Sequence, residues 1–228
     1  MTQNAILFDL DGTLVDSVPD LAAAANALLA ELGRPALSLA QVTGMVGDGA
    51  PKLVERALAA SGAGDMPLSA AVDRFLALYE ADPTRLTRPY EGVPAVLEAL
   101  AAAGWRLGVC TNKPERATRA VLAGLDLERF FAVVLGGDSG PTRKPDPGPL
   151  RLVLDRLGSA PGSAAMIGDH RNDVAAARAA GMPVIFARYG YGAATLADLA
   201  PDAFIDRFAE LPRALQLIWQ RRSTPSAR

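Results

Sequence analysis

Histidine and cysteine are nearly missing from this chain, which carries one of each, His170 and Cys110, in 228 residues. A single cysteine excludes an intramolecular disulfide and a cysteine zinc cage, and a single histidine excludes a histidine metal cluster. A basic excess is missing too: Lys and Arg number 23 against 25 Asp and Glu, for a net charge of -2. That balance leaves no positive field to hold a nucleic-acid backbone or an anionic membrane surface. No apolar run reaches the ~20 residues that a membrane-spanning helix needs, and no leader-like pattern precedes the first apolar run. The expectation is a soluble, cytoplasmic monomer or homodimer with neither nucleic acid nor membrane as a partner.

What the chain has in plenty is aliphatic side chain. Half of its residues are hydrophobic while only 6% are aromatic, which suits helices on an aliphatic sheet better than a β-sandwich. Short apolar runs at 5–8, 106–110, 132–135, 164–167, 183–187 and 203–205 read as buried strands, with helix-period segments between most of them. This alternation predicts an α/β fold of parallel βαβ units. Helices are expected at 94–103, 148–157 and 172–180, ending at Gly104, Gly158 and Gly181. Residues 17–85 break the pattern, with several helical stripes, a capping box at Ser38 and Gln41, and no convincing strand. They read as a helical domain inserted into a core made of residues 1–16 and 86–228. The polar tail from Arg221 is expected to fray.

In open parallel sheets the ligand crevice lies beyond the carboxyl ends of the strands. Chemistry-bearing residues follow four predicted strands: Asp9 and Asp11; Thr111, Asn112 and Lys113; Lys144 with Pro145; and Asp169 with Asp173. Carboxylates gathered within ~4 Å repel by about 4 kcal/mol per pair at an effective dielectric of roughly 20, so such a group needs a compensating cation. With no histidine or cysteine pair to offer, oxygen ligands select Mg2+, which also bridges to phosphate.

Phosphoryl transfer asks a protein for in-line positioning and for neutralising charge on the moving group. Asp9 is a carboxylate nucleophile that needs no activation at neutral pH and forms an acyl phosphate that water can hydrolyse. Asp11 is placed to protonate the leaving oxygen and then to deprotonate the attacking water. Gly12 lets the backbone turn beside the phosphate, and Thr111 and the Asn112 amide are expected to hold its oxygens. Lys144 sets a point charge against both phosphate and Asp9, and Asp169 completes the metal shell.

The ordered set Asp9-Leu10-Asp11-Gly12-Thr13-Leu14, Thr111-Asn112, Lys144-Pro145 and Gly168-Asp169 with Asp173 resembles the four motifs of the haloacid dehalogenase superfamily. The resemblance implies a Rossmann-like doubly wound parallel core, bound Mg2+, and a small helical cap at 17–85 that closes over the site. It implies a metal set of Asp9, the main-chain carbonyl of Asp11, and Asp169, with Asp173 behind them. A dehalogenase would lack the second aspartate, so Asp11 points to a small phosphorylated metabolite as substrate. Val46-Gly47-Asp48-Gly49-Ala50, Arg88-Pro89-Tyr90-Glu91-Gly92-Val93 and Tyr189-Gly190-Tyr191-Gly192 resemble the phosphoglycolate phosphatase branch. His170 departs from the serine common there.

The same core also suits other phosphatases, pyrophosphatases and phosphosugar mutases, and a phospho-acceptor signalling module would share its aspartate on a doubly wound sheet. Taken singly, Asp9 is a turn aspartate, Lys144 a solvated lysine, Thr111 a helix cap and Asp173 a charge at a helix start. The 189–192 segment reads equally as a surface turn.

Overall fold

The computed structural model describes residues 4–62, 66–192 and 200–223. Ala5–Phe8 (β1) is buried on both faces, as an apolar run without alternation requires. A turn leads to the two-residue strand Val15–Asp16 (β2), and a helical segment follows. It comprises Val18–Glu31 (α1), Leu39–Thr43 (α2), Ala50–Ser61 (α3) and Leu68–Glu80 (α4). Ser38 and Gln41 cap α2 reciprocally, as their spacing predicts. Leu21, Leu28, Leu53, Ala57 and Phe75 of these helices are buried in one cluster that continues into one face of the main sheet.

The chain returns through Arg88–Pro89 (β3), then Val93–Ala102 (α5), Arg106–Cys110 (β4), Glu115–Gly124 (α6) and Val133–Leu135 (β5). Gly148–Leu157 (α7), Ala164–Gly168 (β6), Arg171–Ala180 (α8), Val184–Ala187 (β7), Ala203–Ile205 (β8) and Leu211–Ser223 (α9) complete the fold. The strands expected from the sequence form within a residue of their bounds. Pro183 stays outside β7 because it has no amide to donate to a ladder. Helix α9 carries the chain through Arg221 to Ser223, and the rest of the expected frayed tail lies outside the described residues.

The main sheet is parallel throughout, with strand order β5-β4-β1-β6-β7-β8. Successive strands build outward from β1 to one side and then cross to the other, so the switch point falls at the carboxyl end of β1. Leu7, Cys110, Leu150, Leu154, Met166 and Phe186 belong to a second cluster on the opposite face, giving three layers with the sheet in the middle. Among the described residues, no helix is long and apolar enough to cross a membrane.

Strands β2 and β3 are what the sequence reading omits. They pair antiparallel, Val15 with Pro89 and Asp16 with Arg88, where the chain leaves and re-enters the core. Two residues are too few to show a period. Asp20, buried in the first turns of α1, fastens the same junction by accepting from the Leu86 N–H, the Thr87 N–H and the Thr87 hydroxyl. Asp20→Ala would leave those amides without an acceptor and should lower the unfolding free energy by ~1–3 kcal/mol. Denaturant unfolding measures this, and an unchanged midpoint would contradict it.

Candidate active site

Four loops meet beyond the end of β1. Asp9 follows that strand directly, and its main-chain N–H still donates to the Ile167 carbonyl of β6 at 2.9 Å, so the ladder fixes where the carboxylate emerges. Asp9 Oδ1 accepts from the Leu10 N–H at 2.8 Å and lies 3.1 Å from Lys144 Nζ. Lys144 also donates to Asp173 Oδ1 at 2.6 Å, while Asp173 Oδ2 accepts the His170 N–H at 3.0 Å. Both oxygens of Asp173 are thereby engaged, and the residue sits in the first turn of α8 as a capping group as well.

Asp169 follows β6. Its Oδ1 accepts from the Thr13 hydroxyl and its Oδ2 from the Tyr191 N–H, each at 2.8 Å. Gly12 lies against it with a positive φ of 86°, and a Cβ there would come within 2.3 Å of Asp169 Oδ2. Only glycine permits both that backbone and that approach. Gly12, expected to turn beside the phosphate, has this second reason to be glycine.

Asp9, Asp169 and Asp173 offer carboxylate oxygens within 4.8 Å of one another. All three are buried with one ammonium, Lys144, between two of them. Burial pushes the Asp9 carboxyl up to about 6, with Lys144 pulling it back and Asp173 adding to the rise. Burial, then the charges of Asp9 and Asp173, raises Asp169 well above the usual carboxylate range. For Lys144, burial works against the charge, but Asp173 and Asp9 outweigh it and raise its pKa. A cluster of hard oxygens with more negative charge than its lysine neutralises fits a divalent cation. Asp9 and Asp169 suit it better than Asp173: the donors to Asp169 are neutral, whereas Asp173 already carries the Lys144 ammonium at 2.6 Å and caps α8.

Thr111 and Asn112 follow β4 and are nearly buried. Asn112 Nδ2 donates to the Gly47 and Lys144 carbonyls at 3.1 and 2.9 Å, and its buried Oδ1 has no partner among the described residues. The next residue, Lys113, has no role that the sequence by itself defines. Its ammonium donates to both oxygens of Asp11, at 3.2 and 3.1 Å, and lies 4.3 Å from the centre of the Tyr79 ring on α4. Ser17 donates to Asp11 Oδ1 at 2.6 Å. A small cavity of about 40 Å³ lies among these groups, lined by Asp9, Asp11, Thr111, Asn112 and Lys113 on one side and by α3 and α4 on the other.

The 189–192 segment is firmly tied. Tyr189 donates to the Thr13 carbonyl, and the Tyr191 hydroxyl accepts from the Ser17 and Val18 amides while donating to Asp16 Oδ1. The surface-turn reading therefore fails. The alternation of tyrosine and glycine was the available signal: Gly190 packs so tightly that a Cβ would stand 2.3 Å from that of Asp169.

The profile of the haloacid dehalogenase-like hydrolases matches residues 3–181. The chain belongs to this family. Among haloacid dehalogenase-like relatives, a protein named phosphoglycolate phosphatase from Rhodospirillum rubrum is 50% identical over 91% of this chain and 88% of its own length. Phosphoglycolate phosphatase 1 from Pseudomonas aeruginosa is 43% identical over 90% of this chain and 77% of its own. In structure, a predicted phosphoglycolate phosphatase from Haemophilus somnus superposes with a TM-score of 0.87 at 32% identity, over 95% of this chain and 99% of that one. CbbY from Rhodobacter sphaeroides, determined in complex with phosphate, gives 0.81 at 25% identity over 94% and 100%.

The raised Asp9 and Asp169 carboxyls predict that a cation and protons compete for this site. With the metal-free protein, Mg2+ affinity should rise as pH increases from 5 through 7, because the Asp9 carboxyl, raised to about 6, and the raised Asp169 carboxyl must first lose their protons. Calorimetry in two buffers of different ionisation enthalpy should show proton release on binding near pH 6. An affinity independent of pH, with no release, would contradict this.

Proposed function

We propose that this phosphatase hydrolyses 2-phosphoglycolate to glycolate and inorganic phosphate in the cytoplasm, with Asp9 as nucleophile and Mg2+ as cofactor. One observation carries the chemistry: Asp9 and Asp11 line one cavity, with Lys144 against the first and the loop of Thr111 and Asn112 beside both. The names of relatives 43–50% identical to this chain support the substrate.

In the first step an Asp9 carboxylate oxygen attacks phosphorus, forming the aspartyl phosphate as the bond to the glycolate oxygen breaks. Asp11 gives that leaving oxygen its proton. Water then attacks the aspartyl phosphate, Asp11 takes a proton from it, and phosphate departs as Asp9 regains its carboxylate. Thr111 and the Asn112 amide hold the phosphoryl oxygens, and Lys144 offsets their charge while keeping Asp9 in place. Mg2+, held by Asp9, the Asp11 carbonyl and Asp169, would neutralise charge on the phosphoryl oxygens. Asp173 would act on Lys144 and only indirectly on the metal. Residues 17–85 are read as a cap that shields the intermediate from bulk water, with the β2–β3 pair as its base.

The test is phosphate release with Mg2+ from a panel of monoesters containing 2-phosphoglycolate. Asp9→Asn should reduce kcat by at least ~10^3-fold, since the neighbouring carboxylates are held elsewhere, Asp11 by Lys113, Asp169 by Thr13 and the Tyr191 amide, and Asp173 by Lys144. Asp11→Asn should lower kcat by ~10^2–10^4-fold with KM little changed. Turnover by Asp9→Asn near the unsubstituted rate would remove Asp9 as nucleophile, and a panel without phosphate release would remove the proposal.

A further inference from the structure

Lys113 has no part in the mechanism above, yet it is placed where the non-phosphoryl end of a substrate must go. Among the described residues, it contributes the sole cationic side chain lining the cavity; the other charges there are Asp9 and Asp11. Lys144 is 2% exposed and engaged behind Asp9. With the phosphoryl group at Asp9, the rest of the substrate enters a space walled by Leu53, Phe75, Leu76 and Tyr79. An apolar wall gives a neutral, hydroxylated tail few partners, and burying unpaired hydroxyls is costly. An anionic tail would meet one concentrated positive charge.

We propose that Lys113 is the specificity-determining residue, selecting phosphate monoesters that carry a second anionic group close to the phosphoryl-bearing carbon. The proposal rests on the phosphatase reading of this site and sharpens its substrate class. Three features support it. Lys113 is held from two sides, by the Asp11 carboxylate and by the Tyr79 ring face, so its ammonium is positioned before a ligand arrives. The Tyr79 hydroxyl, on a side chain only 2% exposed, interacts with the Lys113 ammonium, and no acceptor among the described residues takes its proton, so it can donate to an anion beside that ammonium. The cavity is small, which favours a tail of few atoms over a sugar. A substrate carboxylate would compete with Asp11 for Lys113 and so draw the ammonium away from Asp11 as it binds.

The experiment compares 2-phosphoglycolate and 3-phosphoglycerate, both anionic in the tail, with ethyl phosphate and glycerol 1-phosphate, both neutral there. Full-length enzyme with Mg2+ is assayed unsubstituted and as Lys113→Met and Lys113→Arg, after thermal unfolding confirms that each variant folds. The quantity read is kcat/KM for an anionic substrate divided by that for a neutral one. Lys113→Met should reduce this ratio at least ~10-fold, mainly through KM, while Lys113→Arg should retain most of it. A role confined to holding Asp11 or α4 would slow both classes alike and leave the ratio unchanged, which would overturn the proposal. No anionic preference in the unsubstituted enzyme would overturn it too. If 3-phosphoglycerate is preferred and 2-phosphoglycolate is not turned over, the substrate named above fails, while a ratio that still collapses in Lys113→Met upholds Lys113 as the selector.

Discussion

Lys144 is the charge around which this acidic cluster can be buried at all. Its ammonium bridges Asp9 at 3.1 Å and Asp173 at 2.6 Å, and Asp169 stands close to both carboxylates with no cationic side chain of its own among the described residues. Like charges at such spacing in a water-poor site would otherwise drive protonation, and the raised Asp9 and Asp169 carboxyls show how far one lysine falls short. The arrangement is therefore tuned to receive a further positive charge. Its position follows from the sheet: β1 is central, its end is the switch point, and the loops after β4 and β6 flank it.

The same constraint reaches the helical segment. Asp169 is held by Thr13 and by the Tyr191 amide, and the Tyr191 hydroxyl holds the amides where α1 begins. The carboxylate that faces the acidic cluster and the junction where the chain enters the helical segment thus share one residue, Tyr191. On the far side of the site, the Gly47 carbonyl accepts from both Asn112 and Asn172, and Asn172 also donates to Asp48. The segment is drawn down onto the loops after β4 and β6 by hydrogen bonds from Asn112 and Asn172, beside the acidic cluster. Displacing these helices would therefore break hydrogen bonds beside the acidic cluster itself.

Most of the core was legible because parallel strands covered on both faces must be apolar runs, and this chain marks their ends with Asp9, Thr111 and Asp169. The capping box at Ser38 and Gln41 and the glycine stops at Gly158 and Gly181 were legible for equally local reasons. The β2–β3 pair was not, since two residues carry no period and their partners are more than 70 residues apart. Lys113 stood in plain view after Thr111-Asn112, but only the fold brings Asp11 and the ring of Tyr79 to it. The 189–192 segment could not be separated from a surface turn until its two hydroxyls were seen to reach residues 13–18.

By itself, the sequence determined the α/β class, the acidic chemistry and the order of the four loops, because burial, turn geometry and ligand hardness are properties of residue types and short spacings. Tertiary structure alone decided how the charges divide. It spent both oxygens of Asp173 on Lys144 and the start of α8, set Asp169 under Tyr191, and turned Lys113 toward Asp11 and the cavity. The physical reason is that electrostatic roles depend on distance and burial, and those are set by which strands lie side by side.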